Sequence, residues 1–185
     1  MRIITGKARG CRLKTPKGEA TRPTADRIKE SLFNILGRRV EEACVLDLFA
    51  GTGALGLEAL SRGAASALFV DERTTPLIEE NAAKTRLSAR AEIVRGDALR
   101  VLARLGALGR SFDLIFCDPP YQRGFWEKAL SSVDREGLLA PDGCMIVEHG
   151  TDEEALPALK ELRCVREESY GKTTRLRFFV RTAKG

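Results

Sequence analysis

The sequence predicts an α/β domain built on a mostly parallel sheet, and three observations lead to this fold class. The chain has 185 residues, which corresponds to one domain at roughly 150 residues per domain. Hydrophobic residues make up 43% of it and charged residues 31%, a composition that supports a buried core and excludes disordered and fibrous proteins. From residue 45 onwards, strand-like and helix-like segments alternate, as they do in βαβ units.

The alternation predicts a sheet of seven strands in which the last strand is antiparallel. Strands are predicted over 45–49, 67–70, 92–94, 114–117 and 144–148, followed by an antiparallel pair around Gly171. Residues 173–181 alternate between apolar and mostly basic side chains, which predicts a half-buried strand with one basic face. Helices are predicted over 54–60, 76–87 and 99–105, around 125–130, and around 153–162 with an interruption at Pro157.

The segment before this alternation has a different character. Short β-prone pieces within residues 2–14 indicate a hairpin or an extended arm. Apolar residues at helical spacing then predict one amphipathic helix, with Thr24 as its N-cap and Gly37 at its end. We therefore divide the domain into a basic arm and helix, residues 1–37, and a core, residues 38–185.

The charge of the chain is concentrated near its N-terminus. The formal net charge is +5, from 31 Lys and Arg against 26 Asp and Glu. Residues 1–29 hold nine basic and two acidic residues, a net +7, so the rest of the chain carries a net −2. Such a segment favours contact with the phosphates of a nucleic acid, although a solvated basic face is the simpler alternative.

The cysteines and the hydropathy of the chain indicate the cellular compartment in which the protein works. The five cysteines are widely spaced and His149 is the single histidine, so neither a zinc site nor a disulfide framework is expected. The N-terminus has no apolar stretch like that of a signal peptide, and no run approaches about 18 apolar residues. We expect a reduced, cytoplasmic protein that needs no metal ion and does not contact a membrane.

A glycine-rich segment follows the first predicted strand of the core. Gly51, Gly53 and Gly56 form a Gly-x-Gly-x-x-Gly pattern between a strand and a helix, which is the context in which this pattern binds nucleotide-like ligands. Asp71 lies 20 residues after Gly51, at the end of the next strand, where a carboxylate can accept hydrogen bonds from ribose hydroxyls. The spacing favours a nucleoside-containing cofactor over a purely structural turn.

Two further acidic residues bear on the identity of that cofactor. Asp47 lies just before the glycine loop and suits a ligand with amine or cationic groups better than a pyrophosphate. Asp97 follows the third strand, where it could meet an adenine amino group or cap the next helix, and the two roles are compatible. An acidic crevice of this kind suits S-adenosylmethionine, which carries an amine, a sulfonium, a ribose and an adenine. A nucleotide-dependent oxidoreductase is the alternative, because the glycine pattern serves both.

The segment Asp118-Pro119-Pro120-Tyr121, which follows the strand at 114–117, indicates the chemistry. Methylating an exocyclic amine of a nucleobase is difficult because the nitrogen lone pair is delocalised into the ring, so the site needs acceptors that hold the amine. The Asp118 carboxylate and the Pro119 carbonyl can be those acceptors, and two prolines stiffen the loop and leave its carbonyls free. Tyr121 offers a flat face for a base taken out of its stack. An ordinary Pro-Pro turn is the alternative.

On these motifs the chain resembles the bacterial 16S ribosomal RNA guanine-N2 methyltransferases, which are small single-domain enzymes that use S-adenosylmethionine. The resemblance covers nearly the whole chain. Many amine-methylating enzymes share the Asp-Pro-Pro-Tyr motif, whereas the Thr-Arg-Pro-Thr segment is far more specific. The matching segments are Arg2-Ile3-Ile4-x-Gly6 with Arg9-Gly10, residues 21–27 leading to Glu30, Phe33 and Asn34, residues 47–56, and residues 118–121.

The resemblance implies a Rossmann-like methyltransferase domain that acts on ribosomal RNA, within the small subunit or an assembly intermediate. Nothing in the sequence demands more than a monomer, so we expect a monomer. It implies that Asp118 holds the target amine, in a catalytic loop formed by Asp118, Pro119, Pro120 and Tyr121. RNA contacts are expected at Arg9, Arg12, Arg22, Thr24 and Arg27. Cofactor contacts are expected at Asp47, Phe49, Gly51, Thr52, Gly53, Asp71, Glu72, Asp97, Ala98 and Asp118.

Other interpretations fit parts of the sequence. A DNA adenine or transfer RNA methyltransferase would share the catalytic motif, although a DNA enzyme usually needs additional sequence for target recognition. A non-catalytic RNA-binding module would explain the basic arm and leave the glycine loop unexplained. Residues 171–173 resemble a fragment of a phosphate loop without its upstream glycine, so they predict a turn. We expect His149, Phe125 and Trp126 to be structural.

Overall fold

In the computed structural model, which describes residues 1–16, 23–153 and 155–182 and only the backbone of Pro23 and Thr24, a seven-stranded sheet lies between two layers of helices. No helix within these residues is long and apolar enough to cross a membrane. The strands are β1 (Cys44–Leu48), β2 (Ser66–Asp71), β3 (Ala91–Arg95), β4 (Phe112–Cys117), β5 (Leu139–Gly150), β6 (Leu162–Tyr170) and β7 (Thr174–Arg181). The helices are α1 (Pro23–Leu36), α2 (Ala54–Ser61), α3 (Thr75–Lys84), α4 (Ala98–Ala107) and α5 (Phe125–Glu136).

The strand order is β3-β2-β1-β4-β5-β7-β6, which confirms the predicted fold class. Strands β1 to β5 are parallel to one another, whereas β7 is antiparallel to both of its neighbours, β5 and β6. The chain builds outwards from β1 to β3 and then crosses back to β4, so the order changes direction between β1 and β4. In open α/β sheets, ligands bind outside the carboxyl ends of the strands at such a point.

Both faces of the sheet are covered, which explains the nearly continuous apolar strands. Successive residues of a strand point to opposite faces. In β4, Leu114 and Phe116 belong to the apolar cluster formed with α1, α2 and α3, whereas Ile115 and Cys117 belong to the cluster formed with α4 and α5. The side-chain parity of each strand therefore determines which helical layer it contacts.

The antiparallel pair around Gly171 is confirmed, with a turn at 171–173, but the predicted basic face of its second strand is not exposed. Arg177 is 4% exposed and lies over the Trp126 ring, 5.6 Å from the centroid. Its Nε donates to Oε1 of Glu167 at 3.0 Å. The prediction is wrong because β7 lies inside the sheet, between β5 and β6, and is covered on both faces.

The helix predicted around 153–162 is also wrong, since the described residues of this segment form no helix. The carboxylate of Asp134 on α5 accepts hydrogen bonds from the backbone N–H groups of Lys160, Glu161 and Leu162 at 2.7 to 2.9 Å. These backbone groups are therefore satisfied without a helix. The carboxylate of Asp134, which is distant in sequence, thus accepts the hydrogen bonds that helix carbonyls would otherwise accept.

Helix α1 begins at Pro23, two residues before the start that Thr24 as an N-cap would give. Thr24 thus lies in its first turn and is not the N-cap. Proline suits the start of a helix because the N–H that it lacks would have no partner there. The helix ends at Leu36, and Gly37 follows with φ at 53°, as the sequence predicts.

Residues 1–16, the N-terminal arm, form a loose antiparallel pair. Arg2 and Arg12 form an isolated bridge, and the N–H of Ile3 donates to the carbonyl of Cys11 at 2.9 Å. The predicted hairpin or extended arm is thus present with very little strand structure. Its attachment to the rest of the protein depends on side chains of the helices.

The buried carboxylate of Glu58 on α2 is the main point of attachment. It accepts hydrogen bonds from the backbone N–H groups of Ile4 at 2.8 Å and Thr5 at 3.0 Å. Nζ of Lys29 on α1 lies 3.2 Å from one carboxylate oxygen, and Nε of Arg62 lies 2.9 Å from the other. One side chain, 0% exposed, thereby joins the arm, α1 and α2.

Two other helical side chains hold the arm by its backbone. Oγ of Ser61 accepts a hydrogen bond from the N–H of Ala8 at 2.9 Å. Asn81 on α3 accepts from the N–H of Lys14 at 2.7 Å and donates to its carbonyl at 3.0 Å. The same Asn81 amide donates to the carbonyl of Thr52 at 2.9 Å. Asn81 therefore connects the arm to the glycine loop.

Replacing Glu58 by alanine is expected to lower the free energy of unfolding by about 3 to 5 kcal/mol, because Lys29 would keep a buried charge without its counter-ion. Urea denaturation measures the loss. Glu41→Ala is the matched control, since Glu41 forms an exposed pair with Arg38 and should contribute less than about 1 kcal/mol. A loss for Glu58→Ala as small as that of the control would contradict the role assigned to this carboxylate.

Candidate active site

A cavity of about 1210 Å³ lies at the carboxyl edge of the sheet, and α1 contributes part of its wall through Ala25, Ile28, Lys29 and Leu32. It brings together the residues that follow β1, β2, β3 and β4. All four residues of the predicted catalytic loop line it: Asp118, Pro119, Pro120 and Tyr121. Nine of the predicted cofactor residues line it as well: Asp47, Phe49, Gly51, Thr52, Asp71, Glu72, Asp97, Ala98 and Asp118.

The tenth, Gly53, precedes α2 and shapes the glycine loop without lining the cavity. Gly53 has φ at 77° and Gly51 has φ at 57°, a region that favours glycine. A Cβ on Gly56 would lie 2.3 Å from the Phe69 ring, so α2 could not pack this closely on the sheet with any other residue there. A Cβ on Gly51 would meet no side chain within 4 Å. The loop therefore presents open backbone to the cavity.

Asp47 is buried at the end of β1 and accepts a hydrogen bond from the N–H of Gly56 through Oδ2 at 2.9 Å. Burial, together with the charge of Asp71, raises the pKa of Asp47 to about 8 despite that hydrogen bond. A carboxylate desolvated in this way gains most from a cationic group placed beside it, because the positive charge favours its ionised form.

The other two acids after strands already make hydrogen bonds within the protein. Oδ1 of Asp71 accepts from the N–H groups of Arg73 at 2.8 Å and Thr74 at 2.9 Å, and Oδ2 accepts from the N–H of Gly51 at 3.0 Å. Burial alone would raise the pKa of Asp71, but these hydrogen bonds outweigh it and lower the pKa. Asp97 caps α4, as anticipated, and also lines the cavity.

The loop from Asp118 to Tyr121 follows β4 and contacts β5 and β7. The hydroxyl of Tyr121 donates to Oε1 of Glu148 at 2.6 Å and lies 3.2 Å from Oγ1 of Thr174. The side chain of Asp118 is open to the cavity, yet the protein around it removes bulk water. This desolvation raises the pKa of Asp118, and the charges of Glu148 and Asp47 add to the effect.

The predicted RNA-contacting residues lie outside this cavity where the structure describes them. Arg9, Arg12 and Arg27 are exposed. Arg22 and the side chain of Thr24 lie outside the described residues. Lys29, which contributes to the basic N-terminal charge, is buried against Glu58, so it is not available to a phosphate.

Sequence reasoning missed several residues that line the cavity. Glu148 and Thr174 line the cavity, and both contact the hydroxyl of Tyr121. Glu148 could have been identified from the sequence, because it is an acidic residue at the end of a predicted strand. Phe125, expected in the core, lines the cavity, and its ring lies 5.9 Å from that of Phe49. Trp126 is buried and stacks on His149 at 4.7 Å, so these two pack in the interior.

A sheet of this strand order with a reversed last strand, a glycine loop after β1 and an Asp-Pro-Pro-Tyr loop after β4 defines the class of Rossmann-like, S-adenosylmethionine-dependent methyltransferases. Residues 1–179 match the family described as "Conserved hypothetical protein 95", and the chain belongs to that family.

Individual relatives extend the match over nearly the full length of the chain. YlbH of Bacillus subtilis (strain 168), provisionally named an rRNA methyltransferase, is 38% identical over 175 residues, which are 94% of this chain and 95% of that protein. "Ribosomal RNA small subunit methyltransferase D" of Escherichia coli (strain K12) is 36% identical over 187 residues, covering 100% of this chain and 92% of that protein. A solved structure of yhhF from Escherichia coli, provisionally titled a methyltransferase, has a TM-score of 0.84 at 36% identity and covers 100% of this chain and 99% of its own.

The raised pKa of Asp47 predicts a pH-dependent effect of Asp47→Asn on stability. In the wild type, the unfolded chain releases this proton from about pH 4 upwards while the folded protein keeps it until about pH 8, so ionisation costs stability as pH rises through this window. The variant lacks that cost. The free energy of unfolding of the variant, minus that of the wild type, should therefore increase by more than about 1 kcal/mol from pH 5 to pH 8. Urea denaturation at both pH values tests this, and an unchanged difference would contradict it.

Proposed function

We propose that this protein transfers a methyl group from S-adenosylmethionine to the exocyclic N2 amine of a guanine in 16S ribosomal RNA. The observation that carries the proposal is the placement of the Asp118 to Tyr121 loop and the glycine loop with its acids in one cavity. The relatives named as rRNA methyltransferases support the RNA substrate. The choice of guanine N2 rests on the sequence resemblance.

The residues of the cavity fit S-adenosylmethionine. Asp47 suits the positive end of the molecule because its buried carboxylate lacks a cationic partner among the described residues. Gly51 leaves open backbone for close approach, and Asp71, Glu72 and Asp97 provide acceptors for ribose hydroxyls and an adenine amine. When bound, the cofactor supplies a methyl group on a positively charged sulfur.

Catalysis is mainly a matter of positioning. The target guanine leaves its stack and lies against Tyr121, whose hydroxyl is fixed by Glu148. Asp118 and the Pro119 carbonyl accept hydrogen bonds from the N2 amine and direct it at the methyl group. As the nitrogen–carbon bond forms and the sulfur–carbon bond breaks, N2 releases one proton, which Asp118 is placed to accept because its pKa is raised.

The arm and α1 bring the RNA to this cavity. Arg9, Arg12 and Arg27 are exposed and serve as phosphate contacts, and we expect Arg22 and Thr24 to join them. The substrate is the small subunit or an assembly intermediate in the cytoplasm, and the enzyme acts as a monomer.

The test uses labelled S-adenosylmethionine with ribosomal RNA, and separately with small subunits, both from cells that lack the enzyme. After digestion to nucleosides, label in N2-methylguanosine is the expected result, and the better substrate identifies the stage of assembly. Label in another nucleoside would show that the target is not N2 of guanine and would identify the atom that is methylated. Cofactor binding without label in either substrate would overturn the RNA assignment and direct the search to DNA, transfer RNA or protein.

In the same assay Asp118→Ala should reduce methyl transfer by at least about 1000-fold, since the amine loses both its charged acceptor and its proton acceptor. Calorimetry should show cofactor affinity close to that of the wild type. Asp142→Ala removes an exposed carboxylate from β5 and is the matched control, with unchanged activity. A large loss of cofactor binding in Asp118→Ala would show that this residue binds the cofactor and does not hold the amine.

A further inference from the structure

Glu148 is a carboxylate of the cavity that the catalytic motif does not include. The register of β4 and β5 pairs Phe116 with Ile146 and Cys117 with Val147, so Asp118 and Glu148 follow as neighbours on adjacent parallel strands. By the alternation of side chains, both lie on the face of the sheet that α1 covers. Two carboxylates therefore stand side by side where the base is expected.

Among the described residues, the Glu148 carboxylate makes a hydrogen bond through one of its two oxygens. Oε1 accepts the hydroxyl of Tyr121 at 2.6 Å, and that hydroxyl also lies 3.2 Å from Oγ1 of Thr174. Among the described residues, no hydrogen bond reaches Oε2. Since Glu148 lines the cavity, one carboxylate oxygen is fixed by the protein and the other is available to a ligand.

The hydrogen-bonding edge of guanine matches a pair of carboxylates. Its N1 and N2 atoms both carry hydrogens and are adjacent, so they present neighbouring donors. Adenine differs because its N1 is an acceptor, which a carboxylate would repel. A carboxylate in its ionised form accepts hydrogen bonds and donates none, so in that form the pair accepts both donors of guanine and offers no donor to N1 of adenine.

We propose that Glu148 is the residue that selects guanine, by accepting the N1–H of the base while Asp118 accepts the N2 amine. This inference rests on the proposed function. Tyr121 has a second task in this arrangement, since its hydroxyl sets the position of the Glu148 carboxylate while its ring supports the base. Glu148 is then a specificity residue that contacts the substrate but takes no part in the transfer itself.

The experiment compares guanine with 2-aminopurine at the target nucleotide, because 2-aminopurine keeps the N2 amine and replaces N1–H with an acceptor. It also lacks O6, so the change in preference that Glu148→Gln causes is what reports on N1–H. The wild type should prefer guanine by at least tenfold in kcat/KM. Glu148→Gln preserves the shape of the side chain and its acceptor for Tyr121, but can present N–H to the base. It should lower kcat/KM for guanine by about 10- to 100-fold and leave that for 2-aminopurine unchanged or higher.

Two controls accompany this variant. Glu92→Gln changes an exposed carboxylate on β3 and should leave both rates at wild-type values. Tyr121→Phe keeps the Glu148 carboxylate but removes its hydrogen bond. The ratio of kcat/KM for guanine to that for 2-aminopurine should therefore fall by a few fold. It also provides the test if Glu148→Gln fails to bind S-adenosylmethionine and is therefore misfolded.

If Glu148→Gln retains cofactor affinity and its ratio of kcat/KM for guanine to kcat/KM for 2-aminopurine equals that of the wild type, the inference is overturned and the proposed function stays intact. This holds whether both values fall equally or neither falls. A wild-type enzyme that binds S-adenosylmethionine but methylates no guanine would overturn the proposed function itself. The two failures are thus distinguishable.

Discussion

The buried carboxylate of Glu58 joins three parts of the chain that are distant in sequence. Its oxygens satisfy backbone N–H groups of the arm and face the charges of Lys29 and Arg62. A buried carboxylate of this kind is tolerated only when each oxygen has several partners, which makes the arrangement all-or-none. Because Lys29 belongs to α1, the same interaction positions the helix that forms one wall of the cavity.

The parallel sheet has a second consequence for the site. Parallel strands place all their carboxyl ends on one edge, so acids that follow different strands come together without being near in sequence. Desolvation at this edge then acts differently on each acid. It raises the pKa of Asp47 and of Asp118, whereas Asp71 is kept ionised by hydrogen bonds from backbone N–H groups. One edge of one sheet thus holds carboxylates with different proton affinities.

Much of this site could be predicted because its acids lie at the carboxyl ends of strands or just after them. Asp47 and Asp71 lie near the ends of β1 and β2, and Asp97 and Asp118 come just after β3 and β4, so local sequence identifies them. Glu148 also ends a predicted strand, but its pairing with Tyr121, 27 positions away in the sequence, is a contact that no local pattern reveals.

The same limit explains the errors in the fold. The segment 153–162 has helical spacing, but Asp134 satisfies its backbone N–H groups from another element. Arg177 seemed to belong to an exposed face because alternation reveals the period of a strand and not the position of that strand in the sheet.

The attachment of the arm divides the sequence into two kinds of position. Glu58, Ser61 and Asn81 on the helices contribute side chains, whereas the arm contributes mainly backbone groups, at residues such as Ile4 and Lys14. Backbone groups are the same in every non-proline residue. The arm can therefore exchange its exposed side chains freely and adapt to a different surface, while three helical residues keep it in place beside the glycine loop.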